Sequence, residues 1–199
     1  GKQIAFGAYI NKTAGIYAMN ADGTNQHLVT STGNQPLAWS PDSQQIAFTA
    51  AFGPTGQKPG LFAVNADGTH EHMLTSDTPA YHGGPAWSPD GKQIAYTSSK
   101  DYKLYVMDST GKNKHSILPA NFSDYVNPVW SPDGKQIVAA GYSQHLFHPT
   151  KSQTVVTFAV GIDVFAVPSG KSQSVAYIGL ASTSSYRQFW SPDGKQIFY

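Results

Sequence analysis

The sequence contains no cysteine, so neither a disulfide framework nor a thiolate metal site can form. It is also poor in charge, with Asp, Glu, Lys and Arg at 13% of 199 residues and a formal net charge of +1. A nucleic-acid partner calls for a strongly basic face and an anionic lipid surface for a polybasic stretch, and neither is present. The longest apolar region, Thr154 to Val167, is interrupted by Thr157 and Asp163 and falls short of the ~20 residues of a membrane span. Motifs of catalysis are missing too: there is no H-E-x-x-H, no P-loop and no G-x-G-x-x-G. The nearest approach to a nucleophile elbow, Gly141-Tyr142-Ser143-Gln144-His145, lacks the second glycine and leads into an irregular insertion instead of a helix. The expectation is a protein that is not an enzyme and carries no cofactor and no metal.

What the sequence does have is self-similarity. Trp-Ser-Pro-Asp begins at Trp39, Trp87, Trp130 and Trp190, and three of the copies extend to W-S-P-D-G-K-Q-I. The remaining copy has Ser43 and Gln44 in place of Gly and Lys. The chain opens on Gly1-Lys2-Gln3-Ile4, the tail of a fifth copy, so its first residues read as part of a folded repeat and no signal peptide is visible. The recurring Ile4, Ile46, Ile94, Ile137 and Ile197 are 42, 48, 43 and 60 residues apart. A period of roughly 40–45 residues rich in β-branched and aromatic positions is that of a propeller blade.

Each repeat divides into four short strand signals, A to D. Strand A ends at the Trp. Ser-Pro-Asp-Gly follows, with proline presetting φ near −65° and glycine accepting a positive φ, as a type I turn requires. Ser43 breaks that rule, and a positive φ there costs on the order of 1 kcal/mol. Strand B is the K-Q-I-A-Y segment and strand C the Leu104-Tyr105-Val106-Met107 type. A second turn follows, Asn20-Ala21-Asp22-Gly23, Asn65-Ala66-Asp67-Gly68 or Asp108-Ser109-Thr110-Gly111, and strand D closes the unit. The repeats run at about 1–42, 43–90, 91–133 and 134–193, with a partial one at 194–199, in a single domain. The fourth departs most: Val167-Pro168-Ser169-Gly170 replaces the second turn, and Gly141 to Asp163 is an enlarged insertion.

W-S-P-D-G-K-Q-I-A-Y, followed by L-Y-V-M and N-A-D-G-T, resembles the WD-like repeat of the TolB-like β-propeller family over essentially the whole chain. The resemblance implies an all-β fold, a β-propeller of four-stranded antiparallel blades, and a periplasmic or extracellular location. Similar repeats occur in propeller domains of prolyl-oligopeptidase-type enzymes. Four repeats are visible, and the first lacks only strand A. Pairing of the C-terminal strand with Trp190 against Lys2 to Phe6 is therefore expected to close the ring, because an open arc leaves unpaired edges; the alternative is a segment of a longer protein with a larger ring, since TolB-like propellers usually carry more blades.

Function is expected on loops held by this scaffold. The A–B and C–D turns form one face of nearly identical Asp-Gly turns. The other face varies, with B–C loops at 7–15, 49–60, 97–103 and 140–163. The D–A loops there bring Asn34, Gln35, Tyr81, His82, Tyr125, Asn127, Tyr186 and Arg187 to the channel mouth, residue types suited to recognition. The reading is a non-catalytic scaffold for protein–protein interaction or self-association through this face. The alternatives are a glycan-binding propeller and the gating propeller of a hydrolase. The four Trp residues are better explained by packing between sheets than by sugar stacking, and Asp42, Asp90, Asp133 and Asp193 by local capping of turn N–H groups. His27, His72 and His115 occupy equivalent outer positions, too far apart to share a metal; His145 and His148 are the better pair.

Overall fold

A computed structural model describes residues 2–33, 36–50, 59–77, 84–101, 103–117, 123–150, 153–167, 171–180 and 188–199. The described residues contain strands and turns and no helix. The first sheet holds β1 (Gln3–Ile10), β2 (Thr13–Asn20) and β3 (His27–Thr30). The second holds β4 (Leu37–Trp39), β5 (Gln45–Ala50), β6 (Gly60–Asn65) and β7 (His72–Thr75), and the third β8 (Ala86–Trp87), β9 (Gln93–Thr97), β10 (Leu104–Asp108) and β11 (His115–Ile117). The fourth is β12 (Ser123–Trp130), β13 (Gln136–Thr150), β14 (Gln153–Ala166) and β15 (Ser172–Leu180); a short hairpin of β16 (Phe189–Trp190) and β17 (Ile197–Phe198) ends the chain. Every pairing is antiparallel and joins strands consecutive in sequence. The A–B and C–D turns therefore lie at one end of each sheet, and the B–C and D–A connections at the other.

Apolar side chains from neighbouring sheets make up the core. Ile16, Ala18 and Val29 of the first sheet pack on Ile46, Phe48 and Phe62 of the second. Ala47, Leu61 and Leu74 of the second meet Trp87, Ile94 and Met107 of the third. Leu104, Val106 and Ile117 then meet Trp130, Ile137 and Phe165, and Val138, Ala140 and Ile162 receive Trp190 and Ile197. The second, third and fourth sheets thus bury both faces between their neighbours, which is why their strands read as continuous apolar runs and not as strict alternation. The repeated Trp is the tie. Its indole N–H donates to the carbonyl just before the Trp of the preceding sheet: Trp87 to Ala38 at 3.2 Å, Trp130 to Ala86 at 3.0 Å and Trp190 to Val129 at 3.3 Å.

Three expectations are corrected. Trp190 pairs with Ile197 and Phe189 with Phe198, so the C-terminal strand A takes its own hairpin partner and not β1, whose other edge has no partner among the described residues. The reason is local: the Ser191-Pro192-Asp193-Gly194 turn closes a two-strand hairpin at far lower loop-entropy cost than a ring closure spanning the chain. Second, the insertion at 141–163 is not irregular. Strands B and C simply continue, as β13 and β14 pair from Gln136↔Ala166 out to Thr150↔Gln153, in keeping with the β-branched run Thr154 to Thr157. Third, the first B–C loop is only Asn11 and Lys12, both at positive φ, instead of the span 7–15.

Candidate functional site

The turn face is built from one hydrogen-bonding unit used four times. In Ser88-Pro89-Asp90-Gly91 the Gly91 N–H donates to the Ser88 carbonyl at 2.9 Å. The Ser88 hydroxyl donates to Asp90 Oδ1 at 2.7 Å and accepts from the Gln93 N–H at 2.9 Å, and the Lys92 N–H donates to the same carboxylate at 3.1 Å. The same bonds recur about Asp42, Asp133 and Asp193. The seryl hydroxyl, then the backbone N–H, hold all four carboxylates below the ordinary aspartate range. Groups this occupied are caps of the turn, not acid–base catalysts. In the second turns Asp22 and Asp67 accept from both the N–H and the hydroxyl of Thr24 and Thr69.

The histidines are used locally as well. Nδ1 of His27, His72 and His115 lies 2.9–3.0 Å from the carbonyl two residues earlier. Those carbonyls belong to Asn25, His70 and Asn113, each at positive φ. His27 Nε2 also reaches the Ala66 carbonyl of the second sheet at 3.1 Å. Among the described residues no group of three or more His, Asp or Glu is placed to hold a metal ion; the side chains of His145 and His148 lie outside the described residues.

Of the eight candidate recognition residues, Asn34, Gln35, Tyr81, His82, Tyr186 and Arg187 lie outside the described residues. Tyr125 and Asn127 are in β12 and not in a loop; the extended β13 offers an edge on which strand A continues, with Ser123 opposite Tyr142. The Tyr125 side chain lies outside the described residues. Asn127 sits at a register break with φ 51°, and its carbonyl accepts from the Gln188 amide. The structure therefore uses Asn127 to join the fourth sheet to the last hairpin.

Sequence reasoning missed a polar cleft at the loop end, lined by Thr75, Ser76, Asp77, Ser99, Lys100 and Lys114. Asp77 follows β7 and accepts from three groups of the third sheet: Ser98 Oγ at 2.7 Å, Tyr96 Oη at 3.1 Å and Lys114 Nζ at 3.4 Å. Burial, reinforced by the Asp77 charge, pushes the Tyr96 phenol well above its ordinary value, so it stays protonated and donates. The Lys114 ammonium also lies 5.1 Å from the Tyr105 ring centroid, a cation–π distance, and Tyr105 Oη donates to Asp101 at 2.9 Å. One junction earlier, Glu71 accepts from Thr30 and Thr32 across the first and second sheets at 2.7 and 2.5 Å. A legible signal did exist: Thr75-Ser76-Asp77 stands where the first repeat has Thr30-Ser31-Thr32, so Asp77 is a carboxylate where the first repeat has a hydroxyl.

Stacked antiparallel blade-like sheets, tied Trp to carbonyl and capped by Ser-Pro-Asp-Gly turns, define a β-propeller-type repeat protein. The family model described as TolB beta propeller domain matches residues 1–199; the chain belongs to that family. No curated protein matches it. Among solved structures it is similar to TolB from Acinetobacter baumannii, with TM-score 0.70 at 21% identity over 100% of this chain and 45% of that one. It is similar to a chain of the nidogen–laminin complex, with TM-score 0.61 at 11% identity over 89% of this chain and 63% of that one. An oligogalacturonate lyase from Vibrio parahaemolyticus gives TM-score 0.54 at 12% identity over 99% and 66%. The chain spans less than half the length of the Acinetobacter TolB. At these identities the likeness is one of fold, and it extends to enzymes as well as to TolB.

Proposed function

We propose that this chain is a non-catalytic scaffold of the periplasm or another extracytoplasmic space that binds a protein partner through its loop face. The observation that supports this is the contrast between the two ends of the sheets. The turn end is closed by internal hydrogen bonds that leave its serine and aspartate groups occupied. The loop end carries the connections that differ most between repeats, from the two-residue Asn11–Lys12 turn to the long β13–β14 hairpin, together with the cleft where Lys100 and Lys114 flank Asp77. Differing connections on a rigid scaffold are where binding specificity evolves without cost to the fold. Tyr81, His82, Tyr186 and Arg187 belong by sequence to the same face and supply aromatic and guanidinium contacts of the kind that dominate interfaces. The nidogen–laminin complex supplies an example of this fold within a protein complex.

The experiment is site-specific photo-crosslinking in an extract of the native compartment. A photoreactive residue at Tyr81 or Tyr186 should give one discrete protein adduct, and the same residue at Asp90 or Asp133 should give none. Adducts from the turn face alone, or turnover of a glycan or peptide substrate by the purified chain, would overturn the reading.

A further inference from the structure

The cleft at the junction of the second and third sheets has a floor whose polar groups are used and a rim whose groups are not. On the floor, Asp77 accepts from Ser98 Oγ at 2.7 Å, Tyr96 Oη at 3.1 Å and Lys114 Nζ at 3.4 Å, and its N–H donates to Thr75 Oγ1 at 3.1 Å. On the rim, Ser76, Ser99 and Lys100 are exposed. The hydroxyls of Ser76 and Ser99 have no partner among the described residues, and Lys100 enters none of the ion pairs there. The loop that carries Lys100 is nonetheless fixed. The Ser98 N–H donates to the Lys103 carbonyl at 3.0 Å and the Lys100 N–H to Ser98 Oγ at 3.1 Å. The neighbouring carboxylate, Asp101, is engaged by Lys103 and Tyr105, so it does not neutralise Lys100.

The preceding junction shows what such a place takes. Glu71 stands immediately before His72 as Lys114 stands before His115, and Thr30 and Thr32 hold the places of Thr75 and Asp77. There the Glu71 carboxylate accepts from the Thr30 and Thr32 hydroxyls at 2.7 and 2.5 Å, so the chain seats an acidic side chain of its own across the first junction. At the second junction the polarity is inverted. Lys114, in the place of Glu71, and Lys100 set two cations against the single charge of Asp77, beside a cleft of about 330 Å³. That volume is near the lower limit of a ligand pocket and suits one polar side chain, not an extended segment. All six lining residues, Thr75, Ser76, Asp77, Ser99, Lys100 and Lys114, are polar, and an apolar occupant would desolvate them without return. The groups left over are ammonium and hydroxyl donors, which call for an anionic oxygen.

We propose that this cleft binds an acidic side chain, aspartate or glutamate, of the partner protein, its carboxylate seated between the Lys100 and Lys114 ammonium groups with Ser76 and Ser99 donating to it. The proposal rests on the loop-face reading and adds to it the chemistry of the partner. Lys114 meets the ligand in a fixed geometry, because Asp77 holds its ammonium at 3.4 Å and the Tyr105 ring lies below it at 5.1 Å. Its side chain is still 38% exposed, and an ammonium has three donors, so it can bridge Asp77 and an incoming carboxylate. The Asp77 charge is taken up on the floor by Lys114, Tyr96 and Ser98, which leaves Lys100 as the net cation of the site. Attraction of this kind, between groups near the surface, guides encounter and weakens as salt is added.

The probe is the blocked peptide acetyl-Gly-Glu-Gly-amide, titrated into the full chain while the backbone amides of Ser76, Asp77, Ser99 and Lys100 are followed by NMR. Its glutamine counterpart and inorganic phosphate are titrated beside it. The glutamate peptide should shift these amides saturably and the glutamine peptide should not. Lys100→Gln should weaken binding about three- to fivefold, the worth of an exposed ion pair, and Lys103→Gln, in the same loop but already paired with Asp101, should leave it unchanged. In the photo-crosslinking experiment, Lys100→Gln with Lys114→Gln should lower the yield of the Tyr81 adduct about tenfold. Equal shifts by the two peptides, no shift by either, or tighter binding of phosphate at the same amides would overturn the carboxylate assignment. Adducts undiminished by the double substitution would overturn the proposal and leave the loop-face reading standing. Saturable binding of the glutamate peptide with no adduct from the wild-type chain would overturn that reading, and with it a protein as the source of the carboxylate.

Discussion

The first sheet and the third are written in nearly the same residues yet live in different surroundings. Ile94 of β9 is fully buried, and its equivalent Ile4 of β1 is 43% exposed. Trp130, on the far side of the third sheet, is hydrogen-bonded across the junction, whereas Trp39, beyond the first sheet, is not. Gly111 is pressed on the Leu74 carbonyl, and Gly23 faces open space. The difference teaches that a repeat here is stabilised by what stands on either side of it more than by its own strands, as expected of a quasi-one-dimensional stack.

The largest test of that comparison is at the tryptophans. Trp87→Ala and Trp130→Ala should each destabilise by about 3–5 kcal/mol, the range for a buried large aromatic, read as the urea midpoint at constant slope. Trp39→Ala should cost roughly half as much, because Trp39 is half-buried and unpartnered at its N–H. Equal losses at all three positions would show that the repeats are energetically independent of their neighbours.

Next come the glycines of the second turn. Gly111→Ala combines a positive φ of 80°, worth about 1 kcal/mol for an L-residue, with a forced shift of the Leu74 backbone at about 1–3 kcal/mol. Gly68→Ala, aimed at the Val29 carbonyl, belongs with it. Gly23→Ala has the same backbone but no neighbour, so it should lose only about 1 kcal/mol. Thermal melts of the three variants decide this. A Gly23→Ala loss as large as that of Gly111→Ala would mean that the space beside Gly23 is occupied in solution.

These contrasts also show what the sequence could and could not tell. Trp-Ser-Pro-Asp-Gly recurs because each of its residues makes a local bond that the turn cannot do without, so strands A and B, their turn and the packing role of Trp were all readable. The capping role of Asp42, Asp90, Asp133 and Asp193 was readable for the same reason. The partner of the last strand was not: Trp190 carries the same neighbours in sequence whether it pairs with Ile197 or Ile4, and only loop length separates the two. Nor was the Asp77 cleft, since its donors Tyr96, Ser98 and Lys114 come from a different repeat. The long β13–β14 hairpin is not legible from the repeat, because the repeat breaks at Gly141 while the strand continues. Its β-branched residues carried the correct signal.

A smaller effect is expected at Ser43, which keeps φ at 60° where the other three copies have glycine at 69–70°. Added atoms at Gly91 would meet only Pro41 Cδ at 3.7 Å, an ordinary contact, so the cost at this turn position is backbone strain without a clash. Ser43→Gly should therefore stabilise by about 1 kcal/mol and Gly91→Ser destabilise by a similar amount. Chemical denaturation of the pair checks this. Unequal magnitudes would mean that the turn of the preceding sheet, which sets Pro41 beside Gly91, reaches even into the turn that follows it.

The smallest effect is the sharpest control, because it concerns groups that owe nothing to their neighbours. Asp22 in the first sheet and Asp67 in the second are each held below the ordinary value of 3.8, first by the threonine hydroxyl two residues on and then by that residue's N–H. A carboxylate whose folded pKa is depressed binds its proton later than it does in the unfolded chain. Its contribution is therefore fully present above the unfolded value and is lost as pH falls through the folded one. Stability should then be flat with respect to these groups above about pH 5 and decline below about pH 4. Asp22→Asn and Asp67→Asn should flatten that acid decline by nearly the same amount, because both turns make the same two bonds, at 2.9 Å and at 2.6–2.7 Å, and only the weakest cause, the His70 charge beside Asp67, sets them apart. The measurement is the urea midpoint from pH 6 down to pH 2.5 for both variants and the parent. If Asp67→Asn flattened the decline and Asp22→Asn did not, the turns too would depend on a flanking sheet, and the separation between local turns and neighbour-stabilised strands would fail.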